Sequence, residues 1–314
     1  MKKIIFDRYS RIQMNVINEM AANPEKFVEY SEKNYQDQLD NVAEKVIESD
    51  NCSVILISGP SASGKTTTAK KLSETFLKKG VKAPVVSLDN FFLGKEHYQV
   101  LPDGSLDMES ISTIDLDAFK YCVSTLLKEG KCDFPIFDFQ NSKRSEEVNH
   151  LVLGKKDILI MEGIHALNPI LSEGLPENKI LKVYVSVRTK FMNGEDSVFE
   201  PKMIRLMRRM IRDKRERNHS PEETVNMWNN IIEGEKEYID PYRDDVDIKI
   251  DTTLDYEPCI FHNYLYPILD TISDSLENYR ELNSIYYGLE MFKDIDEDML
   301  PKHSLLREFV GEDK

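Results

Sequence analysis

Gly59, Gly64, Lys65 and Thr66 occupy the fixed places of G-x-x-x-x-G-K-[ST] within "GPSASGKT". Glycines let main-chain N–H groups close around an anion, a lysine reaches outer phosphates, and the adjoining threonine hydroxyl can ligate magnesium. The pattern reads as a grip on a nucleoside triphosphate, built from Gly59, Ser61, Ala62, Ser63, Gly64, Lys65, Thr66 and Thr67. Two acids follow apolar runs, Asp89 after "APVVSL" and Glu162 after "DILIM". Behind a phosphate loop, such a pair suits polarising an attacking hydroxyl and holding a metal. A helix N-cap or a turn is the plain alternative for either acid alone. The third group is basic: Arg205, Arg208, Arg209 and Arg212 fall at i, i+3, i+4 and i+7, which predicts four guanidinium groups on one helical face, with Arg215 and Arg217 just beyond. Planar guanidinium forks match the charge that spreads over a transferring phosphoryl group, and a basic helix closing over the triphosphate would exclude water. A solvated face paired with Asp213 and Glu216 is the competing reading.

These side chains need a scaffold that brings them together. "VILIS", "PVVSL", "DILIM", "KVYVSV" and "VDIKI" read as short strands separated by helix-length segments. The segment after the phosphate loop sets Ala69, Leu72 and Phe76 on one helical face, with Lys78 and Lys79 in the last turn and Gly80 as its stop. The fold class is therefore α/β: a P-loop NTPase-type parallel sheet covered by helices on both faces, with helical N- and C-terminal extensions. Residues 1–50 form the first extension, with Val42, Val46 and Ile47 on one face. Residues 51–255 form the main domain, with an arginine lid at about 201–220. Residues 256–314 form the second extension, where Phe261, Tyr264, Leu265 and Leu269 are helically spaced. Ligands of open α/β sheets sit beyond the carboxyl ends of the strands, which is where Asp89 and Glu162 are expected.

Composition narrows the partners. A formal charge of -15 over 314 residues repels phosphate backbones and anionic lipid surfaces, so neither nucleic acid nor membrane is an expected partner. The four cysteines (Cys52, Cys122, Cys132 and Cys259) form no C-x-x-C pair, which points to reduced cytoplasmic thiols. "MKKIIFDRYS" has too short an apolar run for a signal peptide, and the expected location is the cytoplasm. The six histidines pair with no second ligand-type residue at metal spacing, and Trp228 reads as core.

Taken in order, "GPSASGKTT", "SLDNFF", "FPIFDFQNSKR", "ILIMEGIHAL" and "RLMRRMIRDKRERN" resemble the uridine kinase and phosphoribulokinase family of P-loop kinases, over roughly Ser53 to Thr252. The resemblance implies ATP and Mg2+ as cofactors and a nucleoside or related small molecule as acceptor, and it allows a homo-oligomer. It implies Asp89 as base or orienter for the acceptor hydroxyl, with Thr66, Asp89 and Glu162 around the metal. Asp107 would meet ribose hydroxyls, Phe137 and Phe139 the nucleobase, and Arg144 would close that loop. Lys65, Arg208 and Arg212 are assigned to catalysis, and Arg205 and Arg217 to the substrate. Pyrimidine-specific members show "YDF" and then a histidine, where this chain has Phe137, Ser142 and Lys143, so the base is open. For Phe137 and Phe139, core packing stands beside stacking on a base. The resulting expectation is a kinase for a uridine- or cytidine-like nucleoside. A kinase for a sugar phosphate or a pantothenate-like acid, a nucleotide-hydrolysing switch and an idle scaffold are the alternatives.

Overall fold

The computed structural model describes residues 4–5, 11–49, 51–100, 104, 106–107, 110–272 and 279–311. The N-terminal run inspected for a targeting signal lies outside these residues apart from Ile4 and Ile5, and so does most of 101–109, although Asp107 is described. Among the described residues no helix is long and apolar enough to cross a membrane.

In chain order the elements begin with β1 (Ile4–Ile5), β2 (Arg11–Gln13), α1 (Met14–Met20), α2 (Pro24–Ser49), β3 (Val54–Ser58) and α3 (Lys65–Lys78). Then come β4 (Val85–Ser87), α4 (Leu116–Glu129), β5 (Lys131–Asp138), β6 (Lys143–Val152), β7 (Leu159–Glu162) and α5 (Pro169–Ser172). The rest are β8 (Ile180–Ser186), β9 (Lys190–Asn193), β10 (Asp196–Phe199), α6 (Pro201–Arg217), α7 (Pro221–Tyr238), β11 (Ile248–Asp251), α8 (Glu257–Leu269), α9 (Arg280–Leu289) and α10 (Arg307–Val310).

All five predicted strands join one parallel sheet in the order β1-β11-β8-β3-β7-β4. Every residue of β3 is buried, as an unbroken apolar run requires when both faces of a strand are covered. Its side chains alternate between two cores: Ile55 and Ile57 pack with α2, α3, α6 and α8, while Val54 and Leu56 pack with α4 and β5. The register sets the site. Glu162 on β7 lies abreast of Ile57 on β3 and Ser87 on β4, so three strands end level with one another.

The terminal regions share the larger core, where Phe27, Leu39, Phe261 and Leu265 are packed with residues of the sheet. Tyr35 Oη of α2 lies 2.8 Å from Thr68 Oγ1 of α3, and Tyr256 Oη donates to Glu32 Oε1 at 2.7 Å. The Gln38 side-chain amide donates to the Asp251 carbonyl and accepts from the Asp251 N–H, both at 2.9 Å, in place of a neighbouring strand. Residues 1–50 are not wholly helical. β1 pairs with β11, and β2 joins β9 and β10 in a second small sheet. These strands are two or three residues long and their partners lie far along the chain, so no periodicity announces them. Likewise the "FPIFDFQNSKR" segment is a β-hairpin, β5–β6.

Candidate active site

The phosphate loop turns between β3 and α3 on two unusual backbone positions, with φ of 56° at Ala62 and 84° at Gly64. The glycine tolerates that left-handed geometry without strain. At Gly59 a Cβ would overlap the Val185 carbonyl oxygen on the neighbouring strand. Helical bonding of α3 begins with the Thr68 N–H on the Gly64 carbonyl, which leaves the amides of Lys65, Thr66 and Thr67 free of intrahelical partners. The loop opens onto a cavity of about 430 Å³ lined by Ser61, Ala62, Ser63, Gly64, Lys65 and Thr66. Thr67 points instead to Glu308, and Gly59 supports the turn from behind.

The level strand ends deliver both acids to the same cavity. Asp89 follows β4 in a short helical turn, its N–H bonded to Ser87 Oγ at 3.3 Å, and it lines the wall with Glu162. Glu162 Oε2 accepts from Thr66 Oγ1 at 3.4 Å. Thr66, Glu162 and Asp89 are hard oxygen donors of the kind magnesium takes. Magnesium sites usually keep waters and substrate phosphates as further ligands, so a sparse protein set suffices. Accordingly, no group of three or more His, Cys, Asp or Glu among the described residues forms a metal cage.

The arginine stripe divides, contrary to the single cationic face its spacing predicts. Arg212 and Arg217 line the cavity, and so does Arg209, whose Nη1 donates to Ser61 Oγ at 2.8 Å. All three gather around the buried Asp213 carboxylate, with N···O separations of 3.0 Å for Arg209, 3.7 Å for Arg212 and 3.1 Å for Arg217. Arg205 and Arg208 turn inward. Arg205 forms a two-pronged pair with Glu235 at 2.6 and 2.9 Å, lies over Trp228 and donates to the Ser61 carbonyl. Arg208, fully buried, pairs with Glu257 at 2.6 and 2.8 Å and donates to the carbonyls of Thr252 and Ala62. The assignments of Arg208 to catalysis and of Arg205 to the substrate are therefore corrected: both guanidiniums are spent on bracing the loop from behind. The carboxylates responsible sit 30 and 49 residues downstream, beyond the reach of helical spacing. The helix is no detached lid either, since Ile204, Leu206, Met207, Met210 and Ile211 are buried in the large core.

On the acceptor side, Phe92 lines the cavity and its ring meets those of Phe137 and Phe139 edge-on at 5.8 and 6.5 Å. Phe137 is buried in this cluster, whereas Phe139 is largely exposed. Asp107 is hydrogen-bonded to Tyr238, which lines the wall. Arg144 lies opposite Phe137 in the register of the β5–β6 hairpin and is paired with Asp115 at 2.9 Å, which also caps α4.

The model of the phosphoribulokinase / uridine kinase family matches residues 54–256, the span that carries the loop, both acids and the arginine helix. The chain belongs to that family. It is similar to the uridine kinase of Bacillus pumilus, 29% identical over 195 residues that cover 60% of this chain and 83% of that one. The uridine kinase of Anoxybacillus flavithermus is 27% identical over 233 residues, 74% of this chain and 97% of that one. Among solved structures, phosphoribulokinase from Rhodobacter spheroides is similar with a TM-score of 0.43 and 16% identity, covering 64% of this chain and 70% of that one. As a member of the phosphoribulokinase / uridine kinase family the chain is a phosphotransferase of the nucleoside or small-alcohol kinase kind, and it uses ATP.

Lys65 and Glu162 act on each other's titration within the cavity. Desolvation lowers the pKa of Lys65, while Glu162, Glu308, Asp89 and Glu235 push it back up. Burial raises the Glu162 carboxyl above its ordinary value; Lys65 and hydrogen bonds from Ser87 and Thr66 oppose the rise, and Glu308 adds to it. Arg209, Glu235, Tyr238 and Glu308 add polar side chains to the lining beyond the residues assigned from sequence. Arg209 was already visible in the stripe, but the other three lie on helices outside every motif, and only tertiary packing brings them in.

Proposed function

We propose that the protein is an ATP- and magnesium-dependent kinase that transfers the γ-phosphoryl group to a hydroxyl of a uridine- or cytidine-like nucleoside. The observation that carries the reading is that Lys65, Asp89, Glu162 and three arginines line one cavity at the mouth of the phosphate loop. The loop amides and Lys65 would hold the triphosphate, and Asp89 would take the proton of the acceptor hydroxyl as its oxygen bonds the γ-phosphorus and the bond from that phosphorus to the β–γ bridging oxygen breaks, releasing ADP. Arg209, Arg212 and Arg217 would stabilise the charge spreading over the transferring group, kept in place by Asp213. Magnesium, held by Thr66, Glu162 and Asp89, would neutralise phosphate charge. Relatives named uridine kinase support a nucleoside acceptor, and the Phe92–Phe137–Phe139 cluster offers an apolar wall for a flat ring.

Incubation with ATP, magnesium and a panel of nucleosides, sugar phosphates and pantothenate tests the reading. Transfer of label from γ-labelled ATP to uridine or cytidine is the expected result. Label appearing only in inorganic phosphate would favour a hydrolytic switch instead.

The raised pKa of Glu162 adds an expectation. As pH falls, this carboxyl loses its charge earlier than an ordinary glutamate, so kcat/KM bends downward on the acid side at a pH above 4.5. The effect on stability has the opposite sense. Folding favours the protonated group, so its contribution is complete at low pH and is lost as pH rises through the raised value. A pH profile of kcat/KM for wild type and Glu162→Gln checks this, the acid limb moving to lower pH in the variant.

A further inference from the structure

The amide of Thr67 is the third N–H of α3, one of the donors that a helix start beneath a phosphate loop presents to an anion. In this chain a carboxylate already holds it. Glu308 Oε2 accepts from Thr67 N at 3.1 Å and from Thr67 Oγ1 at 2.6 Å, across 241 residues of sequence. Three residues earlier, Leu305 lies against the loop itself, so close that a Cβ on Gly64 would meet its Cδ1 at 2.8 Å. We propose that the segment 300–311 is an autoinhibitory latch, in which Glu308 takes the place of a nucleotide phosphate on α3 and must leave before ATP seats fully.

The segment is built to hold that position. Arg307 ties it into a compact loop by donating to the carbonyls of Leu300 and Pro301. Leu305, Leu306 and Phe309 are buried, and the Phe309 ring receives the Arg208 guanidinium at 5.2 Å. Arg215 of the arginine helix donates to the Phe309 carbonyl at 2.6 Å, so the latch hangs from the helix that also sends Arg209, Arg212 and Arg217 to the cavity. Charge decides the direction of the effect. A triphosphate entering beside Glu308 meets a like charge and finds the Thr67 donors occupied, whereas an ammonium or guanidinium in that place would draw it in. When only a fraction of molecules is open, apparent affinity falls by that fraction.

The inference rests on the phosphate loop being the ATP site, and the test separates the two. Equilibrium binding of Mg-ATP is measured for wild type, Glu308→Gln, Glu308→Ala and Lys65→Ala. Removing the carboxylate is expected to tighten ATP binding about tenfold, the effect of one charged hydrogen bond. Lys65→Ala is expected to weaken it. Unchanged or weaker binding in both Glu308 variants overturns the latch; unchanged binding in Lys65→Ala overturns the nucleotide site itself. Hydrogen exchange on the wild-type chain gives a second readout that needs no substitution. Saturating Mg-ATP is expected to speed exchange at the amides of Phe309, Val310 and Gly311, and slower exchange there would overturn the latch.

Discussion

Asp89→Asn is expected to lower kcat by about 10²- to 10⁴-fold, the loss usual for a missing general base, while ATP binds nearly as before. The two carboxamide atoms fill the same space as the carboxylate, and the turn that presents residue 89 is set by main-chain bonds and the Ser87 cap. What disappears is an oxygen basic enough to accept the proton of the attacking hydroxyl. The triphosphate is gripped by the loop amides and Lys65, and Thr66 and Glu162 remain to hold the magnesium, so binding and turnover should part company. Steady-state kinetics with the acceptor, set beside equilibrium ATP binding, checks the split. Normal turnover in the variant would remove Asp89 from the mechanism.

Glu257→Ala is expected to cost about 3–5 kcal/mol of folding stability, read from denaturant midpoints at unchanged slope. Arg208 and Glu257 are both fully buried, and truncating the acid leaves a guanidinium with nothing to balance it in the core. Burial pushes the Glu257 carboxyl pKa upward, and the Arg208 charge together with its hydrogen bonds opposes that rise. Replacing both partners by apolar residues, as in Arg208→Met with Glu257→Leu, should be far milder, because no lone charge remains. That double variant should still lose ATP affinity. Arg208 donates to the Ala62 carbonyl, and Thr252, to which it is also bonded, donates to the Ser63 carbonyl at 2.7 Å. A loss below 1 kcal/mol in Glu257→Ala would contradict this account of the pair.

Much of the architecture could be read from local pattern. Five apolar runs became five neighbouring parallel strands, because burial on both faces leaves a signature in each run independently of its partners. The phosphate loop and the two acids were legible for a related reason: each sits at or just beyond the carboxyl end of its strand, so chain position alone fixes where it emerges. Helical spacing served less well at Arg205 and Arg208. It places side chains around an axis but says nothing about which face meets a buried carboxylate. The pairing of Arg144 with Asp115 was not legible, because Asp115 belongs to the N-terminal cap of another helix. Glu308 and Tyr238 carried no local signal at all, since their positions are products of packing between elements far apart in sequence.

Gln38 has an implication for how the molecule behaves at high concentration. A parallel sheet ends in rows of main-chain donors and acceptors that invite a strand from another molecule. On β11, Gln38 fills the main-chain donor and acceptor of Asp251 with a single amide group. Those two groups are thereby withheld from strand addition by another molecule, through one side chain from a helix.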